Sequence, residues 1–71
     1  METKIFNDFE QGQLFGNLIE MMSMLYLIGA PKEEGDVFDY VGMLKRVSED
    51  SLKISAIVQT KLEELEPKKE E

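Results

Sequence analysis

The sequence predicts an all-α fold: an antiparallel helical hairpin that dimerises into a four-helix bundle. Three observations carry that expectation. Apolar residues recur at three- and four-residue steps through two long stretches. A segment bearing proline and glycine, GAPKEEG at 29–35, separates them, and its length suits a helix–helix connection. Strand alternation beyond a few residues, Asn-Gly-type hairpin dipeptides and internal repeats are missing from the sequence.

The first six residues, METKIF, read as a short leader. Ile5 and Phe6 are large for a free tail and are expected to fold back on the helices. Asn7 reads as an N-cap. Glu10 stands at the capping-box position and Asp8 adds negative charge to the first turn. Phe6, just before the cap, is placed to act as a weak hydrophobic staple.

The first helix is expected over residues 8–28. Leu14, Leu18, Met21, Leu25 and Ile28 alternate by four and three, as do Phe15, Leu18, Met22 and Leu25, giving a wide apolar face. The opposite side carries Gln13, Asn17 and Glu20 but loses its polarity at Met24 and Leu27. The second half is therefore apolar nearly all round and needs neighbours on all sides. Gly29 is a natural C′ residue, and Pro31 prevents continuation.

Beyond the turn, Asp36 is the expected N-cap, with Asp39 at capping-box spacing. The second helix is expected over residues 37–65, a length of roughly 43 Å. Its stripe is Val37, Tyr40, Val41, Leu44, Val47, Ile54, Val58, Leu62 and Leu65, flanked by Phe38, Met43 and Ile57. The outer face offers Lys45, Glu49 and Lys53 at four-residue steps, and Arg46 with Asp50, each pair worth ~0.2–0.5 kcal/mol. The run Ser48-Glu49-Asp50-Ser51 resembles a helix start. No glycine or proline enforces a break there, so one continuous helix is expected. Residues 66–71 have no apolar side chain and read as a frayed acidic tail.

The chain is one domain of 71 residues. Below ~70–80 residues a core usually needs a disulfide, a metal or a partner chain. Cysteine and histidine are both absent. That removes disulfides, thiolate sites, and the commonest metal ligand and general base. Self-assembly or another partner remains. Up to Pro31 the sequence sets one lysine against four acids, and after it seven basic against eleven acidic residues, for a net charge of −7. Such a chain repels nucleic-acid phosphate and anionic lipid.

No secretory signal pattern is present, and the lack of cysteine fits a reducing, cytoplasmic setting. The apolar stretch 14–30 is at the lower limit for a membrane span and carries Glu20, Asn17 and two glycines, which argues against insertion.

Several local features invite a chemical reading. Gly12 and Gly16 form a GxxxG, which reads either as a close-approach strip for another helix or as a poorly optimised helix start. Met21, Met22 and Met24, with Met43, suit core filling at a bundle interface, although methionine also marks adaptable binding surfaces. Ser48, Ser51 and Ser55 suit tight packing with their hydroxyls on preceding carbonyls; modification of Ser48 or Ser51 is the alternative. Glu20 is expected at the surface or paired with Lys32 or Lys45. No calcium loop, phosphate loop, dinucleotide fingerprint or acid/base constellation appears, so no catalysis, cofactor or metal is expected.

The functional expectation is a small non-catalytic protein-interaction module, an adaptor, inhibitor or regulator, acting as a homodimer and contacting another protein. One alternative is a subunit or stabiliser whose apolar face is completed by a different chain. A weaker one is an acidic DNA mimic, disfavoured because lysine and arginine interleave with the acids. The expected interface is Leu14, Phe15, Leu18, Met21, Met22, Met24, Leu25, Leu27 and Ile28.

Overall fold

A computed structural model describes residues 4–35 and 37–66. Two α-helices, α1 (Asp8–Gly29) and α2 (Tyr40–Leu65), pack against each other as an antiparallel hairpin. Among the described residues there is no strand. The molecule measures 60 × 34 × 16 Å with a radius of gyration of 17.2 Å. A compact chain of this length would have about 11 Å, so the hairpin is a rod one layer thick.

The start of α1 is the capping box expected from Asn7 and Glu10. Glu10 N–H donates to Asn7 Oδ1 at 2.8 Å, and Asn7 N–H donates to Glu10 Oε1 at 2.9 Å. Lys4 donates to Asp8 Oδ1 at 3.2 Å across the cap. The end differs from expectation. Gly29 is the last helical residue and Ala30 is the C-cap, in extended conformation at φ −74°. The stop is therefore made without a left-handed glycine. Pro31 forces its predecessor toward extended backbone, which ends the helix at once. The left-handed conformation falls instead on Gly35, at φ +95° in the turn.

Helix α2 begins three residues later than expected. Asp39, not Asp36, is its N-cap, and its carboxylate accepts from Gly42 N–H at 2.9 Å; Asp36 lies outside the described residues. The Asp39 carboxylate leans over Gly42, where a Cβ would stand 2.3 Å from Oδ2. The start is set by the turn. Phe38 stacks on Tyr40, ring centroids 6.0 Å apart, which keeps Val37 and Phe38 out of the helix. Val37 is left 94 % exposed. From Tyr40 the helix runs unbroken through Ser48 to Leu65, and Ser51 donates its hydroxyl to Ser48 O at 2.9 Å. Glu66 caps the end; the start of the leader and the rest of the acidic tail lie outside the described residues.

Candidate functional site

The face on which the helices meet follows a strict four–three spacing on both. On α1 the seam positions are Glu10, Leu14, Asn17, Met21, Met24 and Ile28, all half-buried; on α2 they are Met43, Val47, Asp50, Ile54, Ile57 and Lys61, half-buried except for the fully buried Asp50. Gln11, Glu20 and Gly42 are half-buried beside the seam. This is the two-per-heptad seam of an antiparallel pair. The α2 seam lies one residue to the side of the expected stripe. Tyr40, Val41, Leu44, Val58, Leu62 and Leu65 are exposed, while Asp50, expected outside, lies in the seam together with Lys61.

The two polar intruders differ in how they are satisfied. Lys61 closes the open end of the hairpin, 3.4 Å from Glu10 and 3.0 Å from Glu64, with its ammonium 5.6 Å from the centre of the Phe6 ring. Phe6 folds back as expected, held by this cation–π contact, whereas Ile5 stays exposed. Glu64, then Glu10, raise the Lys61 pKa against partial desolvation. Glu10 is lowered chiefly by the Asn7 N–H it accepts, with Lys61 assisting. Asp50 is 1 % exposed, the single fully buried residue described, and its Oδ2 has no hydrogen-bond partner.

One flank of the seam is polar. Glu20 pairs with Arg46 at 3.3 Å, rather than with Lys32 or Lys45. Arg46 is thereby drawn across the seam, away from the expected partner Asp50. No ion pair forms among Lys45, Glu49 and Lys53. Glu20, Arg46, Lys53, Gln13, Asn17 and Asp50 line a recess of about 300 Å³, open because Gly12 and Gly16 present no side chains at its edge. A Cβ at either glycine would meet nothing within 4 Å, so the GxxxG serves no close approach within the hairpin. The Asp50 carboxyl raises the Glu20 pKa, partial desolvation adds to this, and Arg46 opposes it.

The opposite flank is apolar. Phe15, Leu18, Met22 and Leu25 of α1 form a second four–three row, all exposed. Beside it runs the α2 row Val41, Leu44, Ser48, Ser51, Ser55, Val58, Leu62 and Leu65, likewise exposed. Ser48, Ser51 and Ser55 put small side chains in the middle of this α2 row.

The expected interface residues therefore separate. Leu14, Met21, Met24 and Ile28 are half-buried in the hairpin seam, whereas Phe15, Leu18, Met22, Leu25 and Leu27 face solvent. Phe9, Ile19 and Tyr26 add exposed apolar surface on the back of α1.

At the turn, Lys32 holds the end of α1. Its ammonium donates to Leu27 O and Ala30 O and lies 3.4 Å from Ile28 O, over the Phe38 ring at 4.9 Å and the Tyr40 ring at 6.0 Å. A cation on terminal carbonyls satisfies the orphan acceptors and complements the helix dipole. The sequence signal for it was a lysine directly after Gly-Ala-Pro, followed by two aromatics.

Among the described residues no group of three acidic, histidine or cysteine side chains is placed to hold a metal, and no helix is long and apolar enough to cross a membrane. No family model, curated protein or solved structure matches the chain.

Proposed function

We propose that this chain is a small non-catalytic interaction module that works as a cytoplasmic homodimer, two hairpins stacked through their apolar flanks. One observation carries the reading: not one apolar side chain among the described residues is fully buried. The chain exposes 6299 Å², against about 4,500 Å² for a compact monomer of its mass. The excess, about 1,800 Å² per chain, is an upper limit on what a partner removes. Taken over two chains it lies in the range of obligate homodimers, ~2,000–5,000 Å².

The shape of the flank favours a second copy over an unrelated chain. Under a two-fold axis parallel to the helices the same patch meets itself, with α1 of one copy over α2 of the other. Phe15, Leu18 and Met22 then lie over the small Ser48, Ser51 and Ser55 of the opposite copy. The polar flank and the acidic outer face stay available for a further protein.

Sedimentation velocity over a concentration series tests the dimer. The expected result is a species of twice the 8.2 kDa chain mass that persists on dilution. A monomer at high concentration overturns the homodimer and leaves the reading in which a different chain completes the flank.

A further inference from the structure

The residue most completely removed from water is an acid. Asp50 sits in the middle of the hairpin seam, 1 % exposed, and its Oδ2 has no hydrogen-bond donor. A buried carboxylate oxygen without a donor is among the costliest groups a fold can hold, so something is expected to satisfy it. The same recess brings a second carboxyl, Glu20, from the opposite helix.

The charged groups facing the pair identify the missing donor. From α1 there is Glu20 alone, with the neutral amides of Gln13 and Asn17; from α2 there are Arg46 and Lys53. Arg46 is already committed to Glu20 at 3.3 Å. No group of three acidic, histidine or cysteine side chains stands among the described residues to hold a metal there. A proton shared between the two carboxyls supplies a donor with no change in packing.

We propose that Glu20 and Asp50 form a proton-sharing carboxyl pair across the seam, which takes up one proton on mild acidification and thereby clamps α1 to α2. The proton comes from solvent. It becomes an O–H on one carboxyl that donates to the other, and the remaining negative charge stays beside Arg46 and Lys53. Because the two groups are coupled, the uptake belongs to the pair and not to one residue. Like charges brought together at a shared site behave this way, one carboxyl being held protonated above its ordinary range.

The direction follows from linkage. A carboxyl whose pKa is raised on folding binds more protons in the folded state than in the unfolded one. Its contribution is fully present below the unfolded value, 4.5 for glutamate, and is lost as pH rises through the folded value. The hairpin is therefore expected to resist heat better at pH 5 than at pH 7, relative to variants lacking the pair. The inference does not depend on dimerisation.

The test has two arms. In the wild-type protein, carboxyl carbon NMR shifts are followed against pH. The expected result is a Glu20 titration with its midpoint above 4.5, accompanied by a chemical-shift step at the Asp50 carboxyl at the same pH. In the second arm the melting temperature is measured from pH 7.5 to 4.5 for wild type, Glu20→Gln and Asp50→Asn. The gain in melting temperature on acidification is expected in wild type and lost from both variants, while the general relief of acidic repulsion is common to all three. If Glu20 titrates at its ordinary value with no accompanying step at Asp50, the proposal is overturned. Equal pH slopes in all three proteins overturn it as well. Should a variant fail to fold, the wild-type titration decides alone.

Discussion

The two flanks of the hairpin seam are built from the same pair of helices and have opposite chemistry. On one, Glu20 and Arg46 reach across to each other beside Lys53 and an open recess. On the other, Phe15, Leu18, Met22 and Leu25 stand beside Leu44, Val58 and Leu62 with nothing over them. The difference teaches how assembly number is limited. A helix pair apolar on both flanks would invite stacking on each side without end. One apolar flank and one polar flank leave one side for the proposed pairing of hairpins.

Breaking the apolar flank has the largest expected effect. Leu25→Asp places a carboxylate where the second copy is proposed to sit. Burying it unpaired costs several kcal/mol, so sedimentation is expected to show loss of the dimer, with a lower and concentration-independent melting point. An unchanged melting point would mean that this flank is not covered.

The polar flank is expected to respond in the other direction. Asp50→Leu removes a buried acid with an unpartnered oxygen and extends the apolar seam. A gain of about 1–3 kcal/mol at pH 7 is expected from denaturant unfolding. A loss would show that the carboxyl is fully satisfied in solution.

A smaller effect separates two glycines. Gly16 borders the polar flank in open space, and Gly42 sits against its own helix cap. Gly16→Ala is expected to stabilise by about 0.5–1 kcal/mol through helix propensity and to leave the dimer intact. Gly42→Ala is expected to destabilise, because the added methyl displaces the Asp39 carboxylate, whose loss as a cap costs about 1 kcal/mol. Paired melting curves check both; a weakened dimer in Gly16→Ala would move the second-copy interface to the glycine side.

The subtlest contrast runs along the seam. The Glu10 pKa is lowered on folding, so its contribution is present above 4.5 and is lost as pH falls through the folded value. Glu20 behaves oppositely. Acid is thus expected to loosen the open end while tightening the middle. Site-resolved hydrogen exchange at pH 7 and pH 4 would show protection falling near residues 8–12 and rising near residues 18–22; a uniform change would remove the distinction.

The hairpin itself was legible because each helix announces itself several times over. The Asn7–Glu10 box, the stop at Pro31 and the long three–four periodicities all agree, and agreement between levels is what specifies a fold. The face of α2 was not legible, for a physical reason. That helix carries two parallel four–three rows, offset by one residue. One row, with Leu44, Val58 and Leu62 but broken by three serines, faces outward, and the row interrupted by Asp50 and Lys61 faces α1. Periodicity counts hydrophobic residues and gives no hint that Lys61 belongs to Glu10 and Phe6. The choice of Asp39 over Asp36 was hidden in the same way. Both are capable caps, and the decision came from Phe38 stacking on Tyr40 and Lys32.

The Lys32 clamp has a consequence for how quickly the molecule forms. It joins the end of α1 to the start of α2 through contacts between Leu27 and Tyr40, close together in the chain, so little loop entropy opposes it. The Glu10–Lys61 contact joins the far ends and closes last. A hairpin that zips from its turn should show this in its rates. Lys32→Met is expected to slow refolding with little change in unfolding, whereas Lys61→Met hastens unfolding and leaves refolding near its original speed. A stopped-flow chevron for each variant would show which end of the rod sets the pace.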